Sequence, residues 1–435
     1  MRRILFVFPA APLAPNYSGG AARYAQNHEA LRKLCKELHV IRLGAKGSLE
    51  SFRDFEINSY PARAAIASST SWQDAEYVPA SRARSRLEIL KCTVVDPIGF
   101  EFPNTEVITP ILAKAVSRVQ PDLIWVEDTY LAAAMYRLAP PIPWILSHHD
   151  LIHRVRAIRY GVQNMRDRWL LDVCRRAERT ISCRATCVVT GSVTDGQRLA
   201  ALGCRRVHVV PVAYGTSPAL RLEACAFADI RIVHLGSLET TANRIGLEAY
   251  LRKAHADVMA ACRAQGPEPQ LWVIGDASRV KEPLAGWLER SNAVLKGFVP
   301  DLSSALRPFD VAILPYEHDT GFRTKLPLLF KYAQVVVSTR AAVASVASNS
   351  LEAVCVLVDR LEEFPSMIAR LAADPGERER LGRAARVFAD EHFSVSAVQG
   401  HYHALLELIP IPQNSEEVFG THPASGSGDR SEVRV

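Results

Sequence analysis

The strongest constraint on this chain is a recurring order: a short unbroken apolar run, a polar loop, then a helical pattern. Ile4 to Phe8 is the first such run. Continuous hydrophobicity over so few residues marks a strand buried on both faces, as in a parallel sheet covered by helices. A loop with Gly19 and Gly20 follows, then a helix predicted over Ala21 to Leu38 and a strand at Val40 to Leu43. Residues 44 to 103 show no clear period. The alternation resumes with helices over Val107 to Val119 and Leu131 to Leu138 and strands at Leu123 to Val126 and Trp144 to Leu146. A long helix from Met165 to Cys183, a strand at Thr186 to Val189, a helix after Ser192 and a strand at Val207 to Val210 complete the first half.

Pro211 to Pro218 breaks the pattern, and the order then restarts. Strands are predicted at Ile230 to Leu235, Leu271 to Ile274, Ala293 to Leu295, Val311 to Leu314, Val335 to Ser338 and Val354 to Val358, with closing helices over Leu361 to Leu371, Pro375 to Glu391 and Val395 to Leu408. A chain of 435 residues is too long for one ordinary core. The expectation is therefore α/β, with two doubly wound Rossmann-like domains. Their predicted extents are 1–212 and 229–394, joined by a linker at 213–228. A C-terminal helix at 395–410 is expected to cross back to the first domain, and the tail 411–435, nearly without apolar residues, is expected to be disordered.

Hydrophobic residues at 48% and charged residues at 23% suit a soluble globular protein, and a net charge of +6 does not point to nucleic acid. Arginines crowd the stretch from His153 to Arg184. That stretch is a candidate for peripheral contact with an anionic membrane surface, although a solvated helix face would read the same. Nine cysteines show no zinc-like spacing, and Cys183 and Cys187 are expected to be core thiols. No apolar run reaches the length of a membrane span, and MRRILFVFPAAP reads as a first strand. The expected location is cytoplasmic, with membrane association a candidate.

Chemistry concentrates in four places. Gly321, Arg323 and Lys325 lie on a loop between an apolar strand and a helix start, where backbone N–H groups and two cations suit a diphosphate. A solvated basic loop is the plainer alternative. His148, His149 and Asp150 end a strand of the first half, at the sheet edge where α/β ligands bind. His149 is the candidate cleft residue. Glu127 follows another strand end and is a candidate acceptor-side base or hydroxyl anchor, and Arg23, after Gly20, is a candidate acceptor or phosphate contact. No paired-aspartate motif bridges a metal to a diphosphate, so no metal is expected and Arg323 and Lys325 must supply that charge.

In this order the chain resembles the retaining glycosyltransferases of family 4 (group 1), which have the GT-B fold of two Rossmann-like domains facing across a cleft. VHLGSLETTANRIGLEAYL (233–251) looks like that family's opening donor-domain strand, glycine loop and helix, LWVIGDA (271–277) like its second strand and turn, and KGFVPDLSSALRPFDVAILP (296–315) like the segment bordering the nucleotide base. GFRTK and the later VVVST match its diphosphate loop and following strand. The resemblance implies donor contacts from Gly236, Asn243, Arg244, Gly275, Phe298, Val299, Glu317, Asp319, Thr320, Gly321, Arg323 and Lys325, and a cleft loop with Gly19 and Gly20. It also implies a nucleotide-diphosphate sugar as donor, a hexosyltransferase, and an acceptor that is a carbohydrate, a lipid-linked group or a small molecule. Polysaccharide or glycoconjugate assembly would be the setting.

There are departures. The family carries two glutamates around this loop, the second holding the ribose; here Leu328 stands at the second position, and Ala333, Gln334 and Val335 replace a Gly-x-Pro. A sugar-nucleotide epimerase of the same fold, or a non-catalytic relative binding a nucleotide sugar or a partner, therefore remains an alternative.

Overall fold

The computed structural model describes residues 2–9, 19–43, 55–60, 93–102, 105–214, 222, 230–266, 269–346 and 350–409. The predicted tail, and most of the predicted linker, lie outside the described residues.

Thirteen strands among them form two sheets. The first holds β1 (Arg3–Pro9), β2 (Glu37–Leu43), β3 (Phe55–Tyr60), β4 (Leu123–Glu127), β5 (Trp144–His148), β6 (Cys187–Thr190) and β7 (Val207–Val209), in the order β3-β2-β1-β4-β5-β6-β7. All its pairs are parallel except β2 with β3, which run antiparallel. The second sheet is parallel throughout, in the order β10-β9-β8-β11-β12-β13. Its strands are β8 (Arg231–Leu235), β9 (Gln270–Ile274), β10 (Val294–Gly297), β11 (Val311–Leu314), β12 (Val335–Thr339) and β13 (Val356–Val358). This is the two-domain Rossmann-like architecture of GT-B proteins.

Each sheet is buried on both faces, which is why its central strands read as unbroken apolar runs. Ile4, Leu5, Phe6 and Val7 are all inaccessible, with Leu5 and Val7 in one core layer and Ile4 and Phe6 in the other. The order in which strands are added reverses at β1/β4 in the first sheet and at β8/β11 in the second, and ligands of such sheets collect at the carboxyl ends of these strands.

The first helix ends at Leu34, four residues before the predicted Leu38, because Glu37 already pairs with Arg3 as the start of β2. Strand β3 and the helix Pro97–Glu101 fall in the stretch that lacked a period. Cys187 is buried, but Cys183 is exposed on the helix Met165–Arg184, against the expectation of a core thiol. The helix Val395–Glu407 lays Val398, Tyr402, Leu405 and Leu406 into the core of the first sheet. Beside it Tyr214 bridges Ser394, so two crossings between the sheets run side by side.

Candidate active site

The donor-side cations meet at the β8/β11 reversal. After β8 the chain turns at Gly236 (φ 130°), where a Cβ would collide with the Lys325 ammonium. After β9 it turns at Gly275 (φ 143°), where a Cβ would strike the backbone of Gly236. Both positions need glycine, for conformation and for space. Tyr316, just past β11, is buried; its ring lies 4.4 Å from the Arg323 guanidinium and 5.6 Å from Lys325 Nζ. Lys325 donates to the Tyr316 hydroxyl at 3.0 Å and to Asn243 Oδ1, and Tyr316 donates to the same Asn243 oxygen at 3.2 Å. Arg323 donates to the His318 carbonyl at 2.9 Å and to Thr320 Oγ1 at 3.3 Å, while its Nε has no partner.

Neither cation forms an ion pair with a carboxylate among the described residues, although the charge of Arg323 is felt at Asp150. Burial first, then the charge of Arg323, pushes the Lys325 ammonium well below its ordinary value. Burial and Lys325 likewise hold buried His234 neutral, with both ring nitrogens unpartnered. Positive charge is thus gathered around Tyr316, with the Asp150 carboxylate near enough to feel Arg323 but not paired with it. Tyr316 carried no motif in the sequence, and its signal was only its place after a strand end.

On the opposite side, Glu127 ends β4 and His149 follows β5. Glu127 is fully buried. Its Oε1 accepts from Asn27 Nδ2 at 2.5 Å and Trp125 Nε1 at 2.8 Å, and its Oε2 lies 3.0 Å from His149 Nε2. Glu127 is therefore not an acceptor-side base or hydroxyl anchor: both oxygens are spent and none reaches the cleft. The His149 ring stays partly accessible and packs 4.9 Å from Tyr24. His148 points inward and is buried against Glu178, 3.2 Å from Oε1, while His153 Nδ1 lies 2.5 Å from Oε2 and the Ile152 N–H donates to Oε1. Burial would raise Glu178, but its two histidines hold it down at about 2. His148 thus buttresses the cleft from behind rather than lining it.

Arg23 is also corrected. It is buried and donates to the Val210 carbonyl, which ties the first helix to the end of the sheet rather than to a ligand. Gly19 lies so close to Thr324 that a Cβ would clash with its hydroxyl, while Gly20 leans on Tyr24.

The two sides touch through the loop before Lys325. Gly321 (φ 56°) donates its N–H to Asp195 Oδ2 at 3.0 Å, and a Cβ there would collide with the Asp150 carboxylate. Asp150 is ringed by protein but open to water, and this crowding, partly offset by His149, raises its carboxyl above the usual range. Asp319 pairs with Arg154 at 2.7 Å and with Arg198, which also holds Asp195 at 2.9 Å. Leu328 packs with Phe322 against Ala22, Val212 and Tyr214 of the first domain.

Three expected donor contacts point elsewhere, the first being the Gly321 N–H, which is spent on Asp195 rather than free for a diphosphate. Exposed Glu317 is 2.6 Å from Lys253 Nζ, and Asp319 is taken by arginines across the cleft. Phe298 is 62% exposed beside Val299, which is packed on the core, and Arg244 is half-buried. Among the described residues no three His, Cys, Asp or Glu side chains converge as a metal site.

Residues 19–215 match a family model described as a glycosyl transferase 4-like domain, and residues 229–374 match one described as glycosyl transferases group 1. The fold is similar to that of sucrose-phosphate synthase from Thermosynechococcus elongatus (TM-score 0.61, 16% identity, covering 93% of this chain and 98% of that one). It is also similar to Anabaena HepE in complex with UDP and glucose (TM-score 0.60, 13% identity, 94% and 100% covered). A third similar structure is the lipopolysaccharide outer core galactosyltransferase WaaB (TM-score 0.55, 12% identity, 94% and 100% covered). Comparison of the sequence with curated proteins gives no match.

Proposed function

The chain belongs to the GT-B glycosyltransferases, and on that premise we propose that it moves a hexose from a nucleotide-diphosphate sugar to an acceptor hydroxyl, with retention. One observation carries this reading: Arg323 and Lys325 converge around Tyr316 where the strand order switches at β8/β11, with no carboxylate in ion-pair contact among the described residues. A diphosphate supplies the missing charge, and the exposed Phe298 ring offers a face for the base. HepE is recorded with UDP and with UDP-glucose, so uridine donors are the first to try.

The donor sits on the second domain and the acceptor on the first, with His149 between them. Closure of the two domains, which the Gly321–Asp195 hydrogen bond joins, excludes water around the leaving diphosphate. The two cations neutralise that group, so no divalent ion is required. Incubation with UDP-glucose in chelator, with and without oligosaccharide or glycolipid acceptors, tests this. UDP release that depends on an acceptor supports transfer, an epimerised nucleotide sugar would favour the epimerase, and neither would favour a binding relative.

The acceptor side adjoins the arginine-rich stretch. Arg154, Arg156 and Arg176 are spent on Asp319, Glu101 and Asp172, but Arg159, Arg166 and Arg168 are exposed, as are their chain neighbours Tyr160, Val162 and Met165. Cations around exposed apolar side chains suit an anionic bilayer surface and a lipid-linked acceptor in polysaccharide or glycoconjugate assembly. Among the described residues no helix is long and apolar enough to cross a membrane. Sedimentation with phosphatidylglycerol vesicles but not phosphatidylcholine vesicles is the expected result, lost in R166E/R168E.

A further inference from the structure

We infer that Glu127 is a positioning residue that fixes the tautomer of His149, so that the cleft histidine meets substrate hydroxyls as a hydrogen-bond acceptor. The inference rests on the proposed transfer reaction only for its catalytic consequence; its structural content stands alone.

The argument follows from which groups can donate. Trp125 Nε1 is a donor only, and the Asn27 amide is oriented by its own contacts. Its Oδ1 accepts from the Tyr402 hydroxyl and its Nδ2 reaches Ser147 Oγ at 3.1 Å as well as Glu127. Two N–H donors thus converge on Glu127 Oε1, and a carboxylate offers them and its neighbours only acceptors. Oε2 then faces His149 Nε2 at 3.0 Å as an acceptor, so Nε2 carries the proton. In the neutral ring the lone pair is left on Nδ1. A hydroxyl of sugar or acceptor can donate to that lone pair, and the negative carboxylate behind the ring supports positive charge gathering on it in the transition state.

The network does not stop at the cleft domain's own helices. Tyr402 comes from the helix Val395–Glu407, and Gln26 Nε2 donates both to its hydroxyl and to the Pro211 carbonyl, each at 2.9 Å. The returning helix therefore holds Asn27, which holds Glu127, which holds His149.

Glu127→Gln makes a sharp test. Because Asn27 and Trp125 both donate to Oε1, the amide oxygen must stay there and the new NH2 must face His149. Nε2 then has to accept, and the proton moves to Nδ1. Histidine-selective 15N labelling, with the His149 signal assigned by its loss in His149→Phe, reads the tautomer without substrate. The expected result is Nε2–H in the wild type and Nδ1–H in Glu127→Gln. In addition, kcat should fall at least about tenfold while UDP affinity stays within about twofold. Nδ1–H in the wild type, or an unchanged tautomer in the variant, overturns the inference. Should Glu127→Gln not fold, the wild-type tautomer alone decides. UDP binding measured on the same samples keeps the questions apart: its absence counts against the proposed function and leaves the tautomer result standing.

Discussion

Lys325 is asked to do something costly: remain a cation while half-buried beside Arg323 with only dipoles for partners. Its depressed value means that, between that value and 10.5, the unfolded chain binds a proton the folded chain lacks. Stability of the ligand-free protein should therefore rise with pH across that window, and the slope should flatten in Lys325→Met. A bound diphosphate reverses the preference by restoring the cation. UDP binding is then expected to take up a proton within that window and to weaken as pH rises. Calorimetry in buffers of different ionisation enthalpy reads the uptake, which Lys325→Met should abolish. Each cation contributes a charge-assisted bond of about 1.5–3 kcal/mol, so Arg323→Ala or Lys325→Ala should weaken UDP roughly 10- to 100-fold.

At the scale of elements, the two glycine turns should respond differently. An alanine at 236 is strained by its φ of 130° but meets only side-chain ends, and Lys325 can move away at the expense of the phosphate site. An alanine at 275 meets the backbone of Gly236, which cannot yield. Gly236→Ala is expected to lose UDP affinity as well as about 1–3 kcal/mol of stability from backbone strain, and Gly275→Ala to lose more stability because the backbone clash adds to the same strain. Strands and their order were legible in the sequence because burial on both faces writes itself as unbroken apolar runs. Strand β3 was not, since an antiparallel edge strand has no such requirement. The missing Gly-x-Pro leaves the turn intact: Ala333 adopts the left-handed backbone (φ 52°) that glycine would take more cheaply. Within the site, the glycine loop and its cations were readable because they lie close in sequence. The roles of Glu127, Arg23 and Asp319 were not, because each has a deciding partner at least 100 residues away: Asn27, Val210 and Arg154.

Across the whole molecule, the domains are joined on the cleft side by a small polar latch. Arg154 and Arg198 hold Asp319, Asp195 holds Gly321, and Leu328 fills an apolar seam beside them. These ion pairs are partly exposed, so each is worth no more than about 1 kcal/mol and is weakened by salt. Asp319→Asn should raise the radius of gyration measured by small-angle scattering and make it less sensitive to salt, with the melting temperature nearly unchanged. A carboxylate in the seam would be desolvated without a partner, so Leu328→Glu is expected to destabilise by about 1–3 kcal/mol. The central claim is that Arg323 and Lys325 exist to hold a nucleotide diphosphate. Its most direct test is calorimetric titration of the wild type and of R323A/K325A with UDP and with uridine, which shares the base and ribose but lacks the phosphates. The account predicts that the wild type prefers UDP by two orders of magnitude or more and that the double variant binds both ligands with the same weak affinity. A double variant that still prefers UDP as strongly as the wild type would contradict it.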